Sequence, residues 1–98
     1  MASTREFKSF ILEQLDLLNN ITIRTMMGEY LIYYNGILFG GIYDDRLLIK
    51  IVDENKKYNL IENIPYDGGR PMYLIEDVDD KEKLKRIILD TCEGLSRK

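Results

Sequence analysis

The residues that could do chemistry in this chain fall into a few short clusters. Asp44, Asp45 and Arg46 stand together between two apolar runs. Paired carboxylates can relay a proton or hold a hard cation; the plainer reading is a solvated Asp-Asp turn. Arg24, Glu29 and Lys50 are charged residues embedded in apolar, branched segments. They suit either a polar site or a charged pair that protects a sheet edge, and the pair is the expectation. Lys81, Lys83, Lys85 and Arg86 could meet phosphate. Asp79, Asp80 and Glu82 alternate with them, however, so a solvated helix face with internal ion pairs is expected. Gly68-Gly69 before Arg70 is faintly like a phosphate-cradling loop, but it lacks the lysine and hydroxyl of that motif. Pro71 follows it, which points to a chain reversal. Cys92, near apolar helix positions, reads as a small buried hydrophobe.

Composition removes whole classes of chemistry. The chain has 98 residues, 45% of them hydrophobic, with 14 Lys and Arg against 17 Asp and Glu, a net charge of −3. It has no histidine and one cysteine. That set cannot build an intrachain disulfide, the usual zinc site or a histidine-based triad. No cofactor, metal or catalytic residue is expected. The length fits a single domain over residues 1–98. No apolar run reaches the roughly 20 residues of a membrane span, and no signal-peptide core follows the first residues. A cytoplasmic protein without a membrane partner is therefore expected. The acidic balance weighs against nonspecific nucleic-acid binding, without excluding a local basic patch.

The elements that must position these residues read as α+β. A helix is expected from Thr4 to Leu18, capped by Ser3 with Glu6 three residues on. Phe7, Phe10, Ile11, Leu15 and Leu18 form its apolar face. Ile21–Met26, Glu29–Tyr34, Ile37–Tyr43 and Arg46–Ile51 read as four antiparallel strands. Asn35-Gly36 is the strongest hairpin signal among their turns. Between Asp53 and Asn63 a short helix is favoured over a strand. Pro71–Glu76 is a fifth strand. The last helix begins near Asp79, and Gly94 marks fraying or a cap near its end. The expected architecture is two-layered: a four- to five-stranded antiparallel sheet with both terminal helices on one face.

A two-residue Asn35-Gly36 turn pairs Tyr34 with Ile37, Ile32 with Phe39 and Leu31 with Gly40. A two-residue Asp44-Asp45 turn pairs Tyr43 with Arg46 and Gly41 with Leu48. One face then carries Leu31, Tyr33, Leu38, Ile42, Leu47, Ile49 and Ile51, and is expected to lie under the helices. The other carries Tyr30, Ile32, Tyr34, Ile37, Phe39, Tyr43, Arg46, Leu48 and Lys50. A solvated face is normally more polar than that. Three readings stay open: further structure covers it, it is a partner or dimer surface, or a bulge at Gly40-Gly41 switches the strand.

Beyond these physical readings, MASTREF, RTMMGEYLIYYNG, Phe39-Gly40, DDRLLIK and IPYDGGRPMYLIED resemble, in order and over nearly the whole chain, the N-terminal domain of the TfoX/Sxy family. Met27 stands where that family commonly has phenylalanine, and Leu31 where it commonly has glycine. The resemblance implies a secretion-chaperone-like antiparallel sheet with helices and a setting in bacterial competence for DNA uptake. It implies a standalone copy of a domain that usually precedes a C-terminal one. It implies no catalytic residues. Arg24, Glu29, Tyr30, Tyr34, Phe39, Tyr43, Asp45, Arg46, Lys50, Arg70 and Tyr73 are the candidate interaction surface. The expected activity is non-enzymatic regulation through a protein partner of unknown identity, with a homodimer through the Tyr34, Phe39 and Lys50 face as one form. Nucleic-acid binding by Arg24, Arg46, Lys50 and Arg70 is the alternative. A small-molecule or enzymatic role for Glu29, Asp45 and Arg46 ranks last.

Overall fold

The first helix is set by a hydroxyl. Thr4, rather than Ser3, caps α1 (Arg5–Gln14): its Oγ1 accepts a hydrogen bond from the Phe7 N–H at 3.1 Å. That satisfies one of the donors a helix start leaves open. The helix stops four residues before Leu18. Beyond Gln14 the chain tightens, with Asp16 N–H bonded to Glu13 O and Leu18 N–H to Leu15 O, the three-residue spacing of a 3₁₀ turn. Leu15 and Leu18 remain buried despite leaving the helix. The structure, a computed structural model, describes residues 3–97.

Six strands form one antiparallel sheet: β1 (Ile21–Met26), β2 (Glu29–Tyr34), β3 (Ile37–Tyr43), β4 (Arg46–Ile49), β5 (Ile61–Asn63) and β6 (Met72–Leu74). Their order across the sheet is β1-β2-β3-β4-β6-β5. The sixth strand comes from the segment expected to be helical. Asp53–Tyr58 does coil, as a 3₁₀ helix, but Asn59 turns left-handed at φ 54° and releases the chain into β5. The first three hairpins each turn on two residues with positive φ: Met27-Gly28 (51° and 85°), Asn35-Gly36 (50° and 79°) and Asp44-Asp45 (51° and 55°). Turns of that hand match the natural twist of the strands they join.

The strand register departs from the expected one at a single place. Tyr34 pairs with Ile37 and Tyr33 with Leu38, but Ile32 pairs with Gly40 and Leu31 with Gly41. Phe39 is therefore an extra residue, a β-bulge, and β2 changes sides relative to the second half of β3. The consequence is a correction to both faces. Ile32 and Phe39 are fully buried, and they join Ile42, Leu47 and Ile49 in the core under the helices. Leu31, Tyr33 and Leu38 go to the opposite face with Tyr43, Arg46, Leu48 and Lys50. Glycine is required beside the bulge. A Cβ on Gly40 would lie 2.8 Å from Ile49 Cα, and closer still to the Leu48 carbonyl oxygen of β4.

The second helix, α2 (Lys81–Ser96), starts later than Asp79, with Asp80 as its cap accepting from Lys83 N–H at 3.1 Å. Leu84, Ile87, Ile88 and Cys92 join Ile11 of α1 and the following Leu15 in the core. Gly94 is neither a cap nor a frayed end. A Cβ there would come within 2.7 Å of Val52 Cγ2, so glycine permits close contact between α2 and the 3₁₀ helix. Asn55 locks the same contact from inside. It is completely buried, and its Nδ2 donates to Lys50 O and Thr91 Oγ1, both at 2.9 Å. Its Oδ1 accepts from Val52 N–H at 3.2 Å.

Two substitutions test these constraints in urea unfolding. Asn55→Ala leaves buried groups unpaired and is expected to cost about 2–3 kcal/mol. Gly40→Ala drives a methyl group into β4 and is expected to cost about 1–3 kcal/mol. Unchanged midpoints for both would contradict this packing.

Candidate interaction surface

Glu29 and Asp45, two of the sequence-nominated acids, are used at the start of the chain. Ser3 donates to Glu29 Oε1 through its N–H (3.1 Å) and its hydroxyl (2.7 Å). Glu29 Oε2 accepts from Asp44 N–H at 3.0 Å. The N–H of Asp45 donates to Ser3 Oγ at 3.0 Å, and Asp45 Oδ1 accepts from Thr4 N–H (2.8 Å) and Thr4 Oγ1 (3.2 Å). The two carboxylates thus clip the entry of α1 to two hairpin ends. Negative charge there also complements the positive end of the helix dipole. Among the described residues, no group of three or more His, Cys, Asp or Glu is arranged to hold a metal ion.

Arg46 is equally committed. Its Nε donates to Tyr43 O at 3.1 Å, Nη1 to Asn63 Oδ1 and Ile64 O, and Nη2 to Pro65 O at 3.2 Å. The planar fork of guanidinium donors suits this task, which is to hold the 63–65 chain against β4. Lys81 pairs with Asp16 and Lys83 with Asp77, both at 2.9 Å, so half of the basic helix run is spent on surface ion pairs.

The remaining nominated residues do not share one face. Phe39 lies in the core, and Tyr73 is buried on the same side, opposite Ile49. Tyr30 and Tyr34 pack partly buried against that core, with the Lys8 ammonium 5.2 Å from the Tyr30 ring centroid. A homodimer face made of Tyr34, Phe39 and Lys50 is thus not present as a surface: the bulge turns Phe39 inward and leaves Lys50 outward. The surface that stays open is the side of the sheet turned away from the helix-covered core, with Leu95 near the end of α2 reaching its margin. There, an open groove of about 710 Å³ runs between the sheet and the loop before β6, with Leu31, Leu38, Tyr43, Tyr66 and Met72 among its walls. Lys50 and Arg70 stand at it too. Gly41 leaves room for the Tyr43 wall. A Cβ there would sit 3.0 Å from the Tyr43 ring, which leans over the glycine and meets Tyr66 at 6.1 Å between centroids.

Side-chain parity would have found Leu31 and Leu38 had the bulge been placed. Met27 carries a weaker signal. It is 96% exposed at the tip of the first hairpin and holds a positive φ that methionine seldom adopts. Arg24, Lys50 and Arg70 have side chains without a hydrogen bond or ion pair to any of the described residues.

A model of the TfoX N-terminal domain matches residues 13–93. The chain belongs to the TfoX N-terminal domain family. A curated relative, the uncharacterized 12.7 kDa protein in the trpE 5′ region of Spirochaeta aurantia, is 26% identical over 80 residues, covering 80% of this chain and 70% of that protein. Glu29, Asp45 and Arg46 fall within the span matched to the TfoX domain, and each holds the fold together. No helix among the described residues is long and apolar enough to cross a membrane.

The shifted titrations in this TfoX domain follow from packing. Burial pushes the Cys92 thiol up to about 11, away from the thiolate a nucleophile needs. Tyr43 is raised by burial and then by Tyr66 and Glu29. Tyr58 is raised from 10.0 to about 12 by burial and by donating its hydroxyl to Asp90. Asp90 is lowered: burial opposes its charge, but hydrogen bonds from Tyr58 and Lys57 outweigh it. A raised tyrosine stabilises the fold fully below pH 10 and loses that contribution as pH climbs towards about 12. Tyr58→Phe is therefore expected to flatten the fall in melting temperature over that alkaline window. An identical fall in both proteins would contradict the assignment.

Proposed function

We propose that this TfoX N-terminal domain is a non-enzymatic regulatory module that binds another protein through the face of its sheet turned away from the helix-covered core. The observation that carries the reading is the open groove walled by Leu31, Leu38, Tyr66 and Met72. Contiguous apolar surface left open to solvent is characteristic of contact sites. The residues that looked most like chemistry support the same reading, because Glu29, Asp45 and Arg46 have their polar atoms engaged within the fold. The family's connection with natural competence makes a bacterial regulatory circuit the setting. The proposal has the chain acting in the cytoplasm, where a lone cysteine stays reduced.

Nucleic-acid binding is the second reading, and the free side chains of Arg24, Lys50 and Arg70 favour it. It loses Arg46, whose donors are occupied. Phosphate contacts strengthen as salt falls, so a mobility shift of a DNA duplex at low salt is its expected sign.

Charge placed in the groove separates folding from binding. Leu31→Asp with Leu38→Asp is expected to keep the cooperative melt, since neither residue belongs to the core. As bait in a cross-linking pull-down from bacterial lysate, the pair is expected to lose proteins that the unmodified chain retains. Recovery of the same proteins by both would count against the groove. A charge at Phe39 would not serve the same purpose, because Phe39 is completely buried and its replacement would disrupt the core.

A further inference from the structure

The groove is selective in its charge. The chain carries 17 acidic residues against 14 basic ones. Even so, the groove's lining includes Lys50 and Arg70 and no aspartate or glutamate. Neither cation has a partner for its side chain among the described residues. Arg24 extends the pattern: it is exposed, and it pairs across the sheet with Leu31. Several cations elsewhere are engaged, Lys57 with Asp90, Lys81 with Asp16 and Arg97 with Glu93, while Arg5, Lys85 and Arg86 have no ion pair but stand outside the apolar groove. Unpaired positive charge beside apolar surface favours a ligand that brings both carboxylates and apolar side chains.

Resting on the protein-binding reading above, we infer that the groove takes an acidic peptide segment of a partner protein, with apolar side chains interleaved among its carboxylates. The apolar side chains sit on Leu31, Leu38 and Met72, and the carboxylates meet Lys50 and Arg70. Met26 and Met72 line the groove, and Met27 projects from the adjoining hairpin tip. Methionine adapts its unbranched chain to irregular partners, which suits a surface that receives a peptide.

Two other occupants fit less well. Single-stranded nucleic acid binds on successive exposed rings. Here Tyr66 is the one well-exposed ring in the lining, the Tyr43 ring is packed against Gly41 and Tyr66, and Leu31, Leu38 and Met72 offer no π-face, so a run of stacking platforms is missing. A second copy meeting the same face about a two-fold axis would bring like patches together, opposing Lys50 and Arg70 to their equivalents.

Selection from a random-peptide display library on the immobilised full chain tests the inference. Enriched peptides are expected to combine Asp or Glu with Leu, Ile, Phe or Met. Their amide-shift footprint is expected at Leu31, Leu38, Lys50 and Arg70. Lys50→Glu with Arg70→Glu is expected to weaken them about tenfold or more at low salt, with the gap closing as salt screens the charges. Both side chains are exposed and unpaired, and circular dichroism verifies that the variant folds. Basic or uncharged peptides bound in the same groove would overturn the acidic class and leave the protein-binding reading standing. Peptides unaffected by Leu31→Asp with Leu38→Asp, or no enrichment at all, would overturn both. Displacement of the peptide by oligothymidylate, or self-association by light scattering that blocks the groove, would replace the inferred partner with nucleic acid or a second copy.

Discussion

The extra residue in β3 is the constraint on which the rest of the structure depends. Strand side chains alternate, so an unbulged register would put Ile32 and Phe39 on one side of the sheet and Ile42, Leu47 and Ile49 on the other. Each large side chain left in water forfeits about 1.5–3 kcal/mol of burial. The bulge at Phe39 brings all five under the two helices. It works because Gly40 and Gly41 follow, where Cβ atoms would strike β4 and β2. The same shift leaves Leu31 and Leu38 on the far side. Core and groove are thus two results of one inserted residue.

The polar residues divide by whether the fold consumes them. Glu29, Asp45, Arg46 and Asn55 satisfy backbone groups at chain crossings: the entry of α1, the 63–65 segment and the 3₁₀ helix under α2. Buried or half-buried donors and acceptors at such crossings are costly to leave unpaired. Arg24, Lys50 and Arg70 serve no such crossing. Their charge remains available, and two of them border the apolar groove. This separation gives the open face a chemical character distinct from the acidic remainder of the chain.

Much of this was legible from local sequence. Asn35-Gly36 and Asp44-Asp45 specified their hairpins, because turn conformation is decided within a few residues. Helical spacing located Ile11 and Leu15 in the core. The buried role of Cys92 followed from its neighbours on the helix. The bulge was less legible: two adjacent glycines signalled an irregularity, but the side of each residue depends on β2 and β4, which the local pattern does not contain. The 3₁₀ helix and β5 were blurred for a similar reason. Asn55 acts through Thr91, 36 residues away. The candidate surface suffered most, since one displaced register moved Phe39 inside and brought Leu38 out.

The burial of Cys92 on the core side of α2 gives the molecule an internal reporter. The first four strands are joined by two-residue turns and contact their sequence neighbours, an arrangement that folds with little loop-closure cost. The last helix must instead return across the finished sheet. Its release frees Asn55 from Thr91 and carries the only sulfhydryl into solvent. A thiol reagent in native buffer would therefore register the detachment of one element, and the labelling rate would measure how often the sheet parts from its C-terminal cover.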